Sequence, residues 1–143
     1  SSLCKIVTEN SGELYLGNLY AKRDWGHAKD YVEAMWKMLQ QKKPKDYVIA
    51  TGKQYNVKQF VNMVSKELGV SIVWRGKGKN ETGYLNKKPI IFIDQKYFRP
   101  SEVESLLGDS SKARKELKWN PKYNIYSLVK EMVGHELSLL NDK

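Results

Sequence analysis

The sequence predicts an α/β fold in which short strands alternate with helices, without a complete dinucleotide-binding fold. Three observations lead to this class. Several stretches repeat apolar residues at steps of three and four, which is the spacing of one buried helical face. Between them lie short apolar runs bounded by Gly, Asn or Asp, which are typical of strands. The 143 residues contain no Gly-x-Gly-x-x-Gly turn of the kind that follows the first strand of a dinucleotide-binding fold.

The first elements are a helix end, a strand and a helix. Residues 3–7 predict the end of a helix, and residues 13–16 predict a short strand that Gly17 and Asn18 terminate. A loop over 19–26 leads to a helix over about 28–41, which lysines and Pro44 end. Its spacing predicts that the buried face consists of Tyr31, Ala34, Met35, Met38 and Leu39.

The middle of the chain predicts a strand followed by a capped helix. Residues 47–50 form a continuous apolar run, which favours a buried parallel strand. Asn56 is placed to cap a helix that runs to residue 68, and Gly69 follows as a stop signal. Its inward face is predicted to consist of Val57, Phe60, Val61, Val64 and Leu68.

The remaining elements alternate in the same way. Residues 71–74 and 90–93 predict strands, separated by a polar, glycine-rich and mobile loop over 76–88. Asp109 is placed to cap a short helix over 110–117, and the chain breaks at residues 119–121. A last helix over about 125–140 is predicted to bury Leu128, Val129, Met132, Val133, Leu137 and Leu140.

Composition indicates one ordinary globular domain over residues 1–143. The chain is 41% hydrophobic and 29% charged, and no run approaches the roughly 18 apolar residues of a membrane helix. The single cysteine, Cys4, excludes an internal disulfide and favours a reducing, cytoplasmic compartment. Cys4, His27 and His135 lack the spacing of a metal site, so no metal is expected. Because the chain opens with Ser1 rather than Met, we expect it to be part of a longer product.

Positive charge is concentrated in the middle of the chain. Residues 37–88 contain twelve basic and three acidic residues, so this basic stretch carries the whole net charge of +9. Two interpretations stay open. The basic stretch either forms a solvated surface that aids solubility, or attracts phosphorylated ligands and polyanions.

Two loops carry residues suited to a diphosphate. Arg23 lies just before a predicted helix, where a guanidinium and backbone N–H groups both favour phosphate oxygens. Arg99 and Glu102 flank a proline in a second loop. Two arginines on one diphosphate, with a carboxylate on a ribose hydroxyl, would bind a nucleotide. Taken alone, each arginine is a weak signal, because an arginine in a loop is more often a surface or ion-pair residue.

Catalytic groups are not evident in the sequence. Tyr84 with Lys88 and Tyr126 with Lys130 match a Tyr-x-x-x-Lys pattern, but a chain this rich in both residue types produces such matches by chance. His27, beside the Arg23 loop, is interpreted as a hydrogen-bonded structural residue rather than a general base. The sequence therefore predicts a binding part without the groups that move a hydride.

Four segments together resemble a known family. Residues 16–36, 47–52, 97–103 and 108–121 occur in family order, and the Asn-Leu-x-x-x-Arg-Asp-Trp-Gly-His form within the first is the most specific. The sequence is similar to the GDP-mannose 4,6-dehydratases of the extended short-chain dehydrogenase/reductase class, C-terminal portion only. Ser1 and Ser2 do not match an Arg-Lys pair that the family carries ahead of the first helix.

The resemblance implies a substrate-binding lobe. Family enzymes use NADP to convert GDP-D-mannose to GDP-4-keto-6-deoxy-D-mannose, a step toward GDP-fucose, and their catalytic and cofactor residues lie in the N-terminal half. For this chain it implies diphosphate ligands at Arg23 and Arg99, a ribose or base contact at Glu102, and pocket residues at Asn18 and Leu19. We therefore expect GDP-mannose as ligand, the N-terminal half of the enzyme as partner, and a homo-oligomer when complete. Alone, the chain is expected to be inactive and to bind no NADP.

The sequence is compatible with two other functions. The basic stretch suggests a polyanion- or nucleic-acid-binding module, but the four tryptophans fall within apolar patterns rather than among exposed basic residues. The other is a sister nucleotide-sugar epimerase or reductase of the same class.

Overall fold

The structure is a computed structural model that describes residues 1–97, 103 and 105–141. Short strands and helices are interspersed along these ranges, which confirms the predicted α/β class but not a strict alternation. The helices are α1 (Ser2–Glu9), α2 (Ala28–Leu39), α3 (Val57–Glu67), α4 (Ser111–Glu116) and α5 (Ile125–Asn141). The strands are β1 (Leu14–Leu16), β2 (Lys22–Arg23), β3 (Tyr55–Asn56), β4 (Val73–Arg75), β5 (Thr82–Leu85) and β6 (Lys88–Ile93).

The strands form two small sheets. The larger has the order β1-β6-β5-β4, in which only the β1–β6 pair is parallel and Leu14 lies opposite Ile91. The smaller pairs β2 with β3 in antiparallel fashion, so that Arg23 lies opposite Tyr55. An isolated bridge joins Lys22 to Ser105. These pairings bring three distant segments of the chain together around β2.

The predicted cap at Asn56 is confirmed. The Asn56 side chain accepts a hydrogen bond from Gln59 N, and the Gln59 side chain accepts one from Asn56 N, which is a complete capping box. Asn124 and Ser127 make the same exchange at the start of α5. At α4 the Asp109 carboxylate accepts from Ser111 N at 2.9 Å, so the predicted cap residue lies two residues before the helix begins and one before its N-cap, Ser110.

The prediction of a mobile loop over residues 76–88 is wrong. This stretch contains β5 and the start of β6, which Asn86 and Lys87 join as a two-residue turn. Both turn residues have positive φ, 49° and 70°, as a type I′ hairpin turn requires. The usual sequence signal for that turn is Asn-Gly, so Asn-Lys among many polar residues is read as loop.

The strand predicted over residues 47–50 is also absent. Residues 45–51 pair with no strand in the part of the chain that the structure describes. Its side chains still alternate between the interior and solvent, since Tyr47 and Ile49 pack inward while Val48 is 53% exposed. The 47–50 run therefore contributes side chains to the core without joining a sheet.

Three clusters make the core. α1, α3 and the larger sheet enclose Leu3, Ile6, Ile90 and Ile91. α5 covers α1 through Val129 and Val133 against Cys4. The third cluster lies between α2 and α4 and is built around Ala34, Ala113, Leu117 and Trp119.

A buried carboxylate joins α2 to the turn ahead of α5. Asp30 is 1% exposed and accepts hydrogen bonds from Lys122 N at 3.0 Å and Tyr123 N at 3.1 Å. Its backbone carbonyl accepts from Trp119 Nε1 at 2.8 Å. One acidic side chain in the first turn of α2 therefore fixes the approach to the last helix.

Some predicted core residues are exposed. On α2, Met35 and Leu39 face solvent, and together with Val32 and Trp36 they form a stripe of exposed apolar side chains, which we call the α2 stripe. On α5, Met132 is likewise exposed. The spacing of apolar residues predicts which face of a helix is apolar. It does not predict whether other described residues pack against that face.

Candidate functional site

A cleft lies beside β2, where the first predicted binding loop is found. Its volume is about 280 Å³, and it is lined by Asn18, Tyr20, Ala21, Lys22 and Ser105. We call it the β2 cleft. It brings the loop after β1 together with the segment around residue 105, which is remote in sequence.

Asn18 and Leu19 shape the loop that forms one wall of the β2 cleft. The Asn18 side-chain oxygen accepts a hydrogen bond from Tyr20 N at 2.9 Å, which closes a tight turn. Leu19 is 1% exposed, and its carbonyl accepts from Lys58 N at 3.0 Å. Asn18 thus lies on the wall itself, whereas the Leu19 side chain is buried and the Leu19 carbonyl anchors the turn to the start of α3.

Arg23 connects the two sides of the β2 cleft. Its Nη1 donates to the carbonyl of Lys22 at 2.8 Å and to the carbonyl of Val103, also at 2.8 Å. Lys22 and Ser105 line the cleft, and Val103 lies two residues before Ser105. Arg23, the residue predicted to bind the diphosphate, therefore lies next to the cleft. Arg99 and Glu102 lie outside the described residues.

Asp24 supports the opposite side of the same loop. Its Oδ1 accepts from Thr51 N at 3.1 Å and Thr51 Oγ1 at 2.6 Å, and its Oδ2 accepts from Gly52 N at 2.8 Å. Gly52 has φ of +79°, which suits glycine in such a turn. Arg114 donates to the Thr51 carbonyl from α4 at 3.1 Å. Asp24 thus fixes the Arg23 loop through the backbone of a neighbouring loop.

The two residues after Asp24 pack closely. The Trp25 ring lies 4.9 Å from the Phe60 ring, centroid to centroid. Gly26 leaves no room for a side chain, because a Cβ there would meet the Tyr31 hydroxyl at 2.2 Å. Within the Arg-Asp-Trp-Gly order, hydrogen bonds therefore explain Asp24, and close packing explains Trp25 and Gly26.

His27 begins α2 as a structural residue. Its Nδ1 accepts from Lys29 N at 3.1 Å, its Nε2 lies 3.1 Å from Glu131 Oε2, and its ring stacks on Tyr123 at 4.0 Å. The side chain is 6% exposed. These contacts agree with the interpretation of His27 as hydrogen-bonded support.

An ion pair next to the β2 cleft is not evident from the sequence. Glu81 is 3% exposed, and its carboxylate accepts from Lys58 Nζ at 2.5 Å and from the Tyr20 hydroxyl at 2.7 Å. Burial raises the pKa of Glu81, but the hydrogen bonds from Lys58 and Tyr20 and the Lys58 charge outweigh it, so the pKa lies below its ordinary value. The hydrogen bond to Glu81 raises the pKa of Lys58. No sequence signal joins these three residues, because each lies in a different segment.

A second cleft lies on the Asp24 side of the loop. Its volume is about 290 Å³. Its walls come from Trp25, Thr51, Lys53, Tyr55 and the turn formed by Pro121, Lys122, Tyr123, Asn124 and Ile125.

The basic stretch is partly neutralised by ion pairs. Lys37 pairs with Glu33, Lys45 with Glu116, and Lys58 with Glu81. Its residues are divided among α2, β3, α3, β4, the β5–β6 hairpin and the loops between them. Within residues 1–97, 103 and 105–141 there is no group of three His, Cys, Asp or Glu placed to hold a metal. Over the same ranges, no helix has the length and apolarity needed to cross a bilayer.

Solved structures with the same fold are nucleotide-sugar enzymes. The UDP-glucose 4-epimerase of Thermotoga maritima with UDP-glucose superposes with a TM-score of 0.72 at 19% identity, over 97% of this chain and 39% of the epimerase. The dTDP-glucose 4,6-dehydratase of Bacillus anthracis in complex with NAD gives a TM-score of 0.70 at 19% identity, over 96% of this chain and 38% of that protein. The fold is therefore the α/β arrangement of the corresponding part of these two enzymes.

Sequence relatives narrow the class. The family model for GDP-mannose 4,6 dehydratase matches residues 1–132. The GDP-mannose 4,6 dehydratase of Dictyostelium discoideum is 53% identical over 131 residues, which are 90% of this chain and 37% of that protein. The human enzyme of the same name is 50% identical over 141 residues, which are 97% of this chain and 38% of that protein. The chain belongs to the GDP-mannose 4,6-dehydratase family and spans little more than a third of the length of these relatives.

Proposed function

We propose that this chain is the GDP-mannose-binding part of a GDP-mannose 4,6-dehydratase, which converts GDP-D-mannose to GDP-4-keto-6-deoxy-D-mannose. The observation that carries the proposal is the β2 cleft, whose two sides are held together by Arg23. Family membership supplies the substrate class, and the cleft supplies a place for the nucleotide.

The proposed roles follow the chemistry of the side chains. Arg23 and Arg99 bind the diphosphate, because a guanidinium donates along two directions to phosphate oxygens. Glu102 accepts a hydrogen bond from the ribose or the base. Asn18 lies on the cleft wall and contacts the nucleotide, and Leu19 holds the peptide of that wall in place.

NADP is proposed to bind to the N-terminal part of the enzyme. The nearest approach to a glycine-rich turn among the described residues is Gly76 with Gly78, which lies between β4 and a short 3₁₀ turn at Gly78–Asn80. A Cβ at Gly76 would meet the carbonyl oxygen of Asn80 at 2.3 Å, so the glycine serves the local turn. These residues do not fit a dinucleotide, and we derive no redox step from this chain.

The proposal is tested by titrating GDP-mannose into the purified protein in a calorimeter. We expect binding, and we expect Arg23→Ala to weaken it by about 10- to 100-fold, since the loss of a charged hydrogen bond costs roughly 1.5–3 kcal/mol. Arg75→Ala is the matched control, because Arg75 is an exposed arginine on β4 that stacks over Tyr84. Equal affinity in wild type and Arg23→Ala would defeat the role given to Arg23.

A second experiment separates the proposed reaction from that of a sister epimerase or reductase. The chain is combined with the N-terminal part of the enzyme and offered GDP-mannose, GDP-fucose and UDP-glucose with NADP. We expect turnover of GDP-mannose alone. A folded complex that converts only UDP-glucose or only GDP-fucose would reassign the function.

A further inference from the structure

Tyr20 is an aromatic side chain held in the wall of the β2 cleft. It follows the turn at Asn18 and precedes Lys22, and all three line the cleft. Its side chain is 52% exposed, which leaves much of the ring open to solvent. Among the described residues, it is also the one aromatic in the lining of this cleft.

The ring is exposed, but its position is fixed. The Tyr20 hydroxyl donates to Glu81 at 2.7 Å, and Glu81 is almost completely buried. Lys58 pairs with the same carboxylate and lies 5.7 Å from the Tyr20 ring centroid. The hydroxyl end of the ring is therefore tied to a buried ion pair.

The backbone of the same turn has the same anchor. Lys58 N donates to the Leu19 carbonyl at 3.0 Å, and the Asn18 side chain holds Tyr20 N at 2.9 Å. Lys58 Nζ also lies 5.1 Å from the Trp74 ring centroid on β4. Lys58 therefore fixes Tyr20 through the main chain and, by way of Glu81, through the side chain.

We propose that Tyr20 is a base-binding residue whose ring stacks on the guanine of the nucleotide sugar, and that Glu81 and Lys58 are positioning residues that hold this ring. The inference rests on the proposed function and names the surface that receives the base. Guanine is the part of the ligand with an aromatic face, and Tyr20 supplies the aromatic face of the cleft. Because the ring is held before the ligand arrives, little side-chain freedom is lost on binding.

The test uses calorimetry with GDP and the proton spectrum of bound GDP. Stacking on a tyrosine shifts the guanine H8 resonance upfield through the ring current. We expect Tyr20→Ala to weaken GDP binding roughly 10-fold and to abolish the H8 shift, in line with base–aromatic stacking elsewhere. Tyr20→Phe keeps the ring, so it should retain the shift and lose affinity by about threefold at most.

The positioning role predicts coupling between residues. Glu81→Gln should weaken GDP binding less than Tyr20→Ala does, and the double variant should bind no more weakly than Tyr20→Ala alone. Tyr15→Ala is the control, since Tyr15 is 49% exposed and also bonded to a carboxylate, that of Glu13, but lies outside the cleft lining. Thermal melts of every variant establish that it is folded.

The outcomes test the base-binding role of Tyr20, the positioning role of Glu81 and the proposed function separately. Unchanged affinity and an intact H8 shift in folded Tyr20→Ala, together with weakened binding in Arg23→Ala, overturn the inference and leave the proposed function standing. Additive losses from Tyr20→Ala and Glu81→Gln overturn the positioning role. No binding of GDP by the folded wild-type protein defeats the proposed function, and the inference with it.

Discussion

Asp24 holds Thr51 at two points, because one carboxylate oxygen accepts hydrogen bonds from both the backbone N–H and the hydroxyl of that residue. The other oxygen accepts from Gly52 N. The loop that carries Arg23 is therefore fixed to the loop that precedes β3, and β3 pairs with β2. The position of Arg23, which is proposed to bind the phosphate, therefore depends on the neighbouring Asp24 carboxylate.

Substituting Asp24 by Asn should destabilise the protein. An asparagine oxygen can still accept from Thr51, but its amide nitrogen cannot accept from Gly52 N. We expect the free energy of unfolding to fall by about 1–2 kcal/mol in urea denaturation. Asp46→Asn, on an exposed loop, serves as control and should change it by less than about 0.5 kcal/mol. Equal midpoints for both variants would contradict the structural role of Asp24.

Removing the Asp30 carboxylate should have a larger effect. Asp30→Ala leaves the N–H groups of Lys122 and Tyr123 without their acceptor in a poorly hydrated place, while the Trp119 contact survives because it goes to the backbone. We expect a loss of about 3 kcal/mol in the free energy of unfolding. Asp30→Asn should fall between wild type and Asp30→Ala. A loss below about 0.5 kcal/mol in Asp30→Ala would show that water replaces the carboxylate.

The Glu81–Lys58 pair should make stability depend on pH at the acid end. The pKa of Glu81 is lowered on folding, so its contribution is present above the unfolded pKa of about 4.3 and is lost as the pH falls through the lower folded value. Glu81→Gln should therefore be less stable than wild type by about 2 kcal/mol at pH 7. The difference should shrink steadily below pH of about 4.3. Chemical denaturation at several pH values measures it, and a constant difference down to pH of about 2 would exclude this linkage.

The α2 stripe should cause the protein to self-associate when nothing else covers it. Val32, Met35, Trp36 and Leu39 are 60% exposed or more, and contiguous apolar surface of this kind favours association. Trp36→Gln with Leu39→Lys should shift sedimentation velocity profiles toward the monomer while leaving the free energy of unfolding within about 0.5 kcal/mol. Leu139→Lys on α5 is a control of similar character, since Leu139 is 49% exposed. Equal dissociation by both variants would show that α2 has no special part in association.

Local signals in the sequence account for much of the fold. The helices α3 and α5 begin at Asn56 and Asn124, where side chain and backbone exchange hydrogen bonds within four residues. Such caps depend only on near neighbours in the sequence, so α3 and α5 lie close to the predicted ranges. The β5–β6 hairpin was missed because its turn uses Asn86 and Lys87 in a conformation that glycine normally signals.

Contacts between distant segments could not be predicted in this way. The 47–50 run has the composition of a buried strand, but whether it forms one depends on a neighbouring strand that the described residues do not supply. Glu81 is an ordinary polar residue in the sequence and becomes a buried ion-pair partner only when α3 brings Lys58 to it. The position of Arg23 beside Val103 likewise depends on the Lys22–Ser105 bridge.

The parallel pairing of β1 with β6 has a consequence for the order of assembly. β1 pairs with no other strand of the larger sheet, and its partner lies far away in the sequence, whereas β4, β5 and β6 are neighbours along the chain. Closing that long loop is entropically costly, so we expect the β4–β6 meander to form first and β1 to dock onto it late. In native-state hydrogen exchange, the amides of β1 should then open ahead of those of the meander.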